Sequence, residues 1–252
     1  MRMTQIVALH GFTGSGADFD ATCSLLREYI EWHAPDLPGH GKNADLRDCN
    51  LAKTLDLLTV YLEERKLHRP ALLGYSMGGR IALHWALRKP ELFSKLILVS
   101  ASPGLASEKD RHQRRIADAC WIQKLREEPR DAWIRSWTSQ NVLKTQQHAP
   151  TEVLAPIRQR QIQADAEGWI AAMEGLGNGV LPSLWDVLAQ MPLHVDLVAG
   201  ASDEKFKSIN TEMAKLLPSY SQTVIPDCGH SPHIENPERF ATTLRECIER
   251  SA

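Results

Sequence analysis

The sequence predicts an α/β fold: a mostly parallel sheet with helices on both faces and an inserted helical cap. Over residues 1–102 and again over 192–252, short apolar runs alternate with segments whose apolar residues have helical spacing. This alternation is typical of a parallel sheet covered by helices. Residues 103–191 have a helical pattern, are rich in Arg, Gln and Trp, and lack a strong strand signal. We therefore predict one core of residues 1–102 and 192–252, with a cap of residues 103–191.

The elements of the core can be predicted in order. An apolar run at 6–9 predicts the first strand, and apolar residues at helical spacing predict a helix over 17–30. Residues 32–35 lead into 36–41, a turn-rich loop. The same patterns predict helices over 51–67, 80–87 and 237–248, and strands over 70–73, 95–100, 194–200 and 223–226.

Composition argues against several classes of function. With 29 Lys and Arg against 31 Asp and Glu, the net charge is −2, so no bulk attraction to nucleic acid or an anionic membrane is expected. The five cysteines are scattered without Cys-x-x-Cys spacing, which argues against a disulfide framework or a zinc site and for a reducing compartment. No signal peptide or membrane-length apolar run is evident. We expect a cytoplasmic protein with no metal ion and no evident obligate protein partner.

The sequence Gly-Tyr-Ser-Met-Gly-Gly at 74–79 lies between the strand at 70–73 and the helix at 80–87. A strand, a sharp turn and a helix in this order lift the Ser76 hydroxyl clear of the sheet edge. The glycines permit the strained backbone and the close packing of such a turn. A plain strand-to-helix connection can have the same spacing by chance, but its context favours Ser76 as a nucleophile or base.

A second Gly-rich segment follows the first strand. The residues His-Gly-Phe-Thr-Gly at 10–14 form a loop at the end of an apolar run. Such a loop aims a backbone N–H at an oxyanion, beside the N–H of the residue that follows the nucleophile. We predict an oxyanion hole formed by the N–H groups of Phe12 and Met77.

Two further members of a catalytic relay are predicted near the C-terminus. His230 follows the last predicted strand, and Asp203 follows the strand before it. Asp196 and Asp227 compete with Asp203, but Asp196 lies within a strand pattern and Asp227 is too close in sequence to approach His230 Nδ1 easily. The chain order Ser76, Asp203, His230 is the order that the α/β-hydrolase fold uses.

Several parts of the chain together resemble one family, the 2-succinyl-6-hydroxy-2,4-cyclohexadiene-1-carboxylate synthases of menaquinone biosynthesis. The relay residues and the His-Gly loop are shared by the whole α/β-hydrolase superfamily. The Arg directly after the serine turn, the Asp-x-Lys-Phe run and the cap arginines are narrower. The resemblance covers nearly the whole chain, and rests on 74–80, on Arg114 with Trp121 and Trp137, on 175–179 followed by 182–185, and on 203–206 with 229–230.

The resemblance implies a lyase that uses no cofactor. The family eliminates pyruvate from 2-succinyl-5-enolpyruvyl-6-hydroxy-3-cyclohexene-1-carboxylate, a small-molecule tricarboxylate. Ser76, made basic by His230 and Asp203, would take a proton next to the succinyl ketone. The N–H groups of Phe12 and Met77 would then hold the enolate oxygen.

The resemblance also implies how three carboxylates are bound. Arg80 lies one turn into the helix after the serine turn, and Arg114 in the cap matches a second contact. The planar guanidinium of arginine suits bidentate carboxylate binding. Counting along the chain favours Arg158 as the third contact, and Arg160 remains an alternative.

Two aromatic residues are also predicted in the pocket. Tyr75 and Trp137 are expected to line the pocket, although Trp137 fits the apolar core of the cap equally well.

Two other functions are possible for a chain with this relay. A carboxylic-ester or thioester hydrolase would use the same relay with Ser76 as the true nucleophile, but would favour an apolar cap rather than one with several arginines. A non-catalytic binding module normally lacks a relay residue, and here all three are present.

Overall fold

The structure is a computed structural model that describes residues 3–250, and it contains one six-stranded sheet. Neighbouring strands are parallel throughout. Their carboxyl ends therefore meet at one edge, where ligands bind in open α/β sheets. The strands are β1 (Thr4–Leu9), β2 (Ile30–His33), β3 (Ala71–Tyr75), β4 (Leu96–Val99), β5 (Val195–Gly200) and β6 (Tyr220–Ile225), in the order β2-β1-β3-β4-β5-β6.

Helices connect the strands and cover the sheet. In chain order they are α1 (Asp20–Leu26), α2 (Leu51–Glu64), α3 (Met77–Arg88), α4 (Glu108–Glu127), α5 (Arg130–Thr138), α6 (Thr151–Gln163), α7 (Ala166–Leu176), α8 (Glu204–Ala214), α9 (Pro232–Glu235) and α10 (Pro237–Glu249). Within residues 3–250, no helix is both long enough and apolar enough to cross a membrane.

Both faces of the sheet are covered by apolar side chains. Successive residues of a strand point to opposite faces. Val7 and Leu9 of β1 join the apolar cluster that includes side chains of α2, α3 and α8. Ile6 and Ala8 join the cluster that includes side chains of α1 and α10. The predicted α/β fold, with helices on both faces of a parallel sheet, is confirmed.

The segment between β4 and β5 contains helices α4 to α7, and its described residues include no strand. Trp133, Trp137 and Trp169 are buried in an apolar cluster of this segment. Ala172 and Leu176 of α7 instead pack in the cluster of the core. Because this segment shares apolar contacts with the core, its division into a separate cap of residues 103–191 remains a prediction.

The helix predicted over 17–30 is wrong. The chain forms a 3-10 turn at Gly16–Phe19, then α1, and then β2 from Ile30. Strand β2 pairs with β1, with Thr4 opposite Ile30. Leu26 and Ile30 are buried in the same apolar cluster. Their four-residue spacing therefore reflects a shared place in the core rather than one continuous helix.

Candidate active site

Ser76 lies at the turn between β3 and α3. Its backbone has φ 51° and ψ −111°, a conformation that the surrounding structure must enforce in a residue other than glycine. Glycines allow the contacts that enforce it. A Cβ on Gly78 would lie 2.3 Å from the carbonyl oxygen of Leu9, and a Cβ on Gly74 would lie 2.5 Å from Gly79 Cα. Helix α3 thus packs directly against the strands that hold this turn.

The structure brings Ser76, His230 and Asp203 together, and we call these three residues the relay. His230 Nδ1 lies 2.8 Å from Asp203 Oδ2. Because an ionised carboxylate can only accept, Nδ1 carries the proton and donates it. Nε2 is then left as an acceptor, 3.1 Å from Ser76 Oγ. In this arrangement the imidazole can receive the hydroxyl proton of Ser76.

The three candidate carboxylates occupy different places. Asp203 is buried, caps the N-terminus of α8 and contacts the relay histidine. Asp196 is buried at the start of β5, and its carboxylate lies 3.6 Å from Lys95 Nζ. Asp227 is exposed and lies 3.1 Å from a guanidinium nitrogen of Arg239. Asp203 is therefore the carboxylate in position to orient the imidazole.

Glu235, at the end of α9, accepts hydrogen bonds from the residues on both sides of the relay histidine. Its Oε2 accepts a hydrogen bond of 2.6 Å from the N–H of Gly229, and its Oε1 accepts one of 2.9 Å from the N–H of Ser231. Thr145 also donates to Oε1, at 3.0 Å. The residues on either side of His230 are thus fixed by one carboxylate. Sequence reasoning missed Glu235, although a short helical turn ending in a carboxylate directly after a relay histidine is a usable signal.

The loop of residues 10–18 contains the predicted oxyanion donor, and we call it the oxyanion loop. The carbonyl oxygen of Gly11 accepts from His10 Nδ1 at 2.8 Å and from the N–H of Gly14 at 3.1 Å. His10 Nε2 accepts from the N–H of Leu37 at 2.9 Å, which fixes the tautomer. In a trans peptide the C=O and the next N–H point in opposite directions. Anchoring the Gly11 carbonyl therefore orients the Phe12 N–H.

A cavity at Ser76 is lined by side chains from the core and from the segment between β4 and β5. Phe12 and Met77, which carry the predicted oxyanion donors, both line it. Among the described residues, no group of three or more His, Cys, Asp or Glu side chains is arranged to hold a metal ion. The groups present can transfer a proton, stabilise an oxyanion and bind an anionic ligand.

The two predicted aromatic residues also line this cavity. The Tyr75 hydroxyl is 2.5 Å from Ser231 Oγ, and its ring centroid is 5.4 Å from that of His230. Trp137 stacks on Trp133 with ring centroids 5.2 Å apart. Trp137 therefore belongs both to the wall of the cavity and to an apolar cluster, so the two interpretations offered by the sequence are compatible.

Positive charge is concentrated at this cavity. Among residues 3–250, the Lys and Arg side chains that line it are Arg80, Arg114 and Lys205. Among residues 3–250, the buried Nε of Arg80 finds no hydrogen-bond partner. Burial and the charge of Arg114 lower the pKa of Arg80 to about 10, so it stays protonated at neutral pH. Arg114 Nε donates to buried Asp118 at 2.7 Å. An unpaired guanidinium facing a cavity is suited to a carboxylate ligand.

The structure does not place the predicted third arginine in the cavity wall. The guanidinium of Arg158 donates to Gln161 at 3.2 Å and to Thr138 at 3.1 Å, and these two partners line the cavity. Arg158 thus lies outside the cavity and holds two of its lining side chains by hydrogen bonds. The alternative, Arg160, donates to Asp18 Oδ1 at 2.9 Å. Both terminal nitrogens of Arg158 are thus engaged, whereas the buried Nε of Arg160 has no hydrogen-bond partner among residues 3–250. Neither side chain lines the cavity at Ser76.

Lys205 is a lining cation to which sequence reasoning gave no role. It lies two residues after Asp203, in the first turn of α8. Burial and the charge of Arg114 lower its pKa. The Asp-x-Lys-Phe run contained part of the signal, because it puts the backbone of the lysine near the same edge of the sheet as the relay aspartate.

Residues 6–243 match the model of the alpha/beta hydrolase family. A putative 2-succinyl-6-hydroxy-2,4-cyclohexadiene-1-carboxylate synthase of Bacillus subtilis (strain 168) is 32% identical over 96% of this chain and 89% of that protein. The synthase of the same name from Enterobacter sp. (strain 638) is 30% identical over 96% of this chain and 91% of that protein. The solved structure of MenH from S. aureus matches with a TM-score of 0.92 and 29% identity, over 99% of this chain and 95% of that one. The chain therefore belongs to the alpha/beta hydrolase family and, within it, to the family of the 2-succinyl-6-hydroxy-2,4-cyclohexadiene-1-carboxylate synthases.

Proposed function

We propose that this protein is a carbon–oxygen lyase of menaquinone biosynthesis. It converts 2-succinyl-5-enolpyruvyl-6-hydroxy-3-cyclohexene-1-carboxylate into 2-succinyl-6-hydroxy-2,4-cyclohexadiene-1-carboxylate and pyruvate. The observation that carries this proposal is that Ser76 of the relay opens on a cavity lined by three cations, Arg80, Arg114 and Lys205. A tricarboxylate needs such a concentration of positive charge in a protein whose net charge is only −2.

The relay removes one proton from the substrate. As Ser76 Oγ takes the proton from the ring carbon next to the succinyl ketone, its own hydroxyl proton passes to His230 Nε2. The imidazolium that forms is stabilised by Asp203, 2.8 Å from Nδ1. No bond forms between Ser76 and the substrate in this step. Ser76 and His230 together therefore act as a general base.

The electrons released by the proton pass first to the ketone and then through the ring. The ketone oxygen becomes an enolate oxygen, which accepts hydrogen bonds from the N–H groups of Phe12 and Met77. When the enolate collapses, the ring double bond shifts and a second one forms as the bond to the enolpyruvyl oxygen breaks. The departing enolate of pyruvate takes the proton held by His230. Atoms and charge balance, and the products are the diene and pyruvate.

The cations give the substrate its orientation. Arg80 and Arg114 supply planar guanidinium groups for two carboxylates, and Lys205 supplies a compact charge for the third. Arg158 acts from behind the wall, through its hydrogen bonds to Thr138 and Gln161. The segment of residues 103–191 contributes Arg114 and Trp137 to the cavity, which supports its role as a cap that sets specificity.

The ligand is a free small molecule, and the chemistry requires no cofactor. We place the reaction in the cytoplasm, where the five scattered cysteines would stay reduced. No obligate protein partner is needed, because relay, oxyanion donors and cations come from one chain.

The proposal is tested by supplying the enolpyruvyl substrate, generated enzymatically, and following free pyruvate and the diene absorbance together. Both should appear at the same rate, and the Ser76→Ala variant is the matched control. Rapid mixing should show no burst, and mass spectrometry should find unmodified enzyme during turnover. A hydrolase would behave in the opposite way: rapid cleavage of an ester or thioester through an acylated Ser76, with no pyruvate released, would overturn the lyase assignment.

A further inference from the structure

We propose that Arg160 is a positioning residue: it neutralises Asp18 beneath the oxyanion loop, keeps the Phe12 N–H in place, and does not bind substrate. The inference rests on the role given above to Phe12. Arg160 is the arginine that the sequence left as an alternative carboxylate ligand, and here it has a different role.

Asp18 holds the oxyanion loop from inside. Its side chain is buried, with Oδ2 accepting from the N–H of Ser15 at 3.3 Å and Oδ1 accepting from Ser15 Oγ at 3.4 Å. A Cβ on Gly14 would lie 2.4 Å from Asp18 Oδ2, so the loop backbone packs directly on the carboxylate. Gly14 in turn donates its N–H to the Gly11 carbonyl. That carbonyl belongs to the peptide group whose N–H is the one on Phe12. The carboxylate and the oxyanion donor are thus linked through two consecutive contacts and one peptide group.

Arg160 supplies the charge that lets this carboxylate remain buried. Its Nη2 lies 2.9 Å from Asp18 Oδ1. Burial raises the pKa of Asp18, and the hydrogen bond from Arg160 opposes that rise. The Arg160 side chain is 36% exposed but that of Asp18 is buried, so removing Arg160 leaves a buried carboxylate without its cation, whereas removing both charges leaves none. Asp18 also lines the cavity, where an unneutralised carboxylate would repel a polyanion.

The next residue of α6 contacts the loop as well. Gln161 Nε2 donates to Thr13 Oγ1 at 3.1 Å. Thr13 directly follows Phe12 and has φ 66°, a left-handed conformation that costs energy in a threonine. Helix α6 therefore holds the oxyanion loop through two consecutive side chains. Arg160 itself does not line the cavity at Ser76, which separates its task from that of Arg80 and Arg114.

The test measures how fast an uncharged fluorophosphonate labels Ser76. Ser76 Oγ bonds to phosphorus, fluoride departs, the hydroxyl proton passes to His230, and the phosphoryl oxygen occupies the oxyanion hole. The probe has no carboxylate, so its rate reports the relay and the oxyanion loop but not anion recognition. The variants are Arg160→Ala, the milder Arg160→Gln, and Arg160→Ala combined with Asp18→Asn. Gln159→Ala, at an exposed position of α6, is the matched control.

Labelling by Arg160→Ala should be slower by about tenfold or more, the scale of a hydrogen bond to a charged group. Arg160→Gln, which keeps a donor but loses the charge, should be slowed less. The combined variant should recover most of the wild-type rate, and Gln159→Ala should match wild type. Circular dichroism and thermal unfolding establish that each variant is folded. If Arg160→Ala does not fold, Arg160→Gln and the combined variant decide the question.

Two results would overturn the inference. One is wild-type labelling in both single Arg160 variants, whatever the KM for the tricarboxylate, because the oxyanion loop would then not depend on Arg160. The other is a combined variant that labels no faster than Arg160→Ala. The outcome is separable from the proposed lyase activity, because a wild-type protein that releases no pyruvate would refute the lyase assignment while the labelling rates still decide the role of Arg160.

Discussion

At Ser76 the backbone conformation, the hydrogen bond to His230 and the cavity coincide, and the relay should therefore act as a unit. We predict that Ser76→Ala and His230→Ala each lower pyruvate release by about 10³-fold or more. Steady-state kinetics on the enolpyruvyl substrate measures the loss, and thermal unfolding should show that the fold persists. Turnover close to wild type in either variant would remove these residues from the mechanism.

The arginines that line the cavity should govern substrate capture. We predict that Arg80→Ala and Arg114→Ala each lower kcat/KM by about 10- to 150-fold, which corresponds to about 1.5–3 kcal/mol, the scale of a hydrogen bond to a charged group. Added salt should weaken capture by the wild type, because it screens the attraction between cations and tricarboxylate. Arg88→Ala, at the exposed end of the same helix as Arg80, is the control and should behave as wild type. The polyanion site would be refuted if both variants kept normal kcat/KM.

At the level of single residues, sequence reasoning identified the side chains whose place is fixed by strand ends. Ser76, Asp203 and His230 each follow a strand, and the carboxyl ends of parallel strands meet at one edge. Arg158 depends instead on the rotation of α6, which counting along the chain does not give. Lys205 depends on the direction in which α8 leaves the sheet. Side chains placed by helix packing were therefore harder to assign than those placed by the sheet.

Among the elements, the four-residue helix α9 orients the relay histidine. Its last residue, Glu235, accepts from the N–H groups on both sides of His230. We predict that Glu235→Gln lowers kcat by roughly 10- to 100-fold with little change in KM, since the amide turns one acceptor into a donor that faces an N–H group. The kcat-against-KM split is the measurement. Glu238→Gln, at an exposed position of α10, is the control, and an equal effect of both changes would contradict the assignment.

Helix α2 could be predicted from periodicity, whereas strand β2 could not. Helix α2 was predicted over 51–67 and forms over Leu51–Glu64. Strand β2 was missed, because its first residue, Ile30, continues an apolar spacing that begins in α1. Strand β4 has the same length but is uniformly apolar and buried. Strand β2 includes Glu31 and His33, and is defined instead by its pairing with β1. Local pattern therefore determines where long helices form, and tertiary pairing determines where the chain leaves them.

Across the whole molecule, buried histidines should make the fold sensitive to acid. His10, His40 and His233 are almost fully buried. Burial, followed by the charge of His10, lowers the pKa of His40 to about 3. Burial, followed by the charges of His230 and His10, lowers the pKa of His233 to about 3. Burial also lowers the pKa of His10. In the unfolded chain a histidine has a pKa of about 6.5.

Because the folded-state pKa values of His40 and His233 are depressed to about 3, the unfolded chain binds more protons at these two positions than the folded protein between about pH 6.5 and pH 3. Their contribution to stability is therefore fully present above about pH 6.5 and is lost as the pH falls through this window. Each histidine adds up to about 1.4 kcal/mol per pH unit to the slope. His233 is the best test, since neither of its ring nitrogens has a hydrogen-bond partner in the described part of the chain.

We predict that His233→Leu, which fills a similar volume without titrating, reduces the slope of unfolding free energy against pH by about 1.4 kcal/mol per pH unit below about pH 6. The substitution also removes the contacts of the His233 ring with Phe19, Tyr75 and Phe240. That loss changes the free energy of unfolding by the same amount at every pH, so a change in slope reports the titration of His233 alone. Urea unfolding at several pH values between about 7.5 and 4.5 measures it. His68→Leu, at an exposed position, should leave the slope unchanged. If His233→Leu and the wild type lose stability in parallel as the pH falls, protonation of the unfolded His233 is not what destabilises the fold.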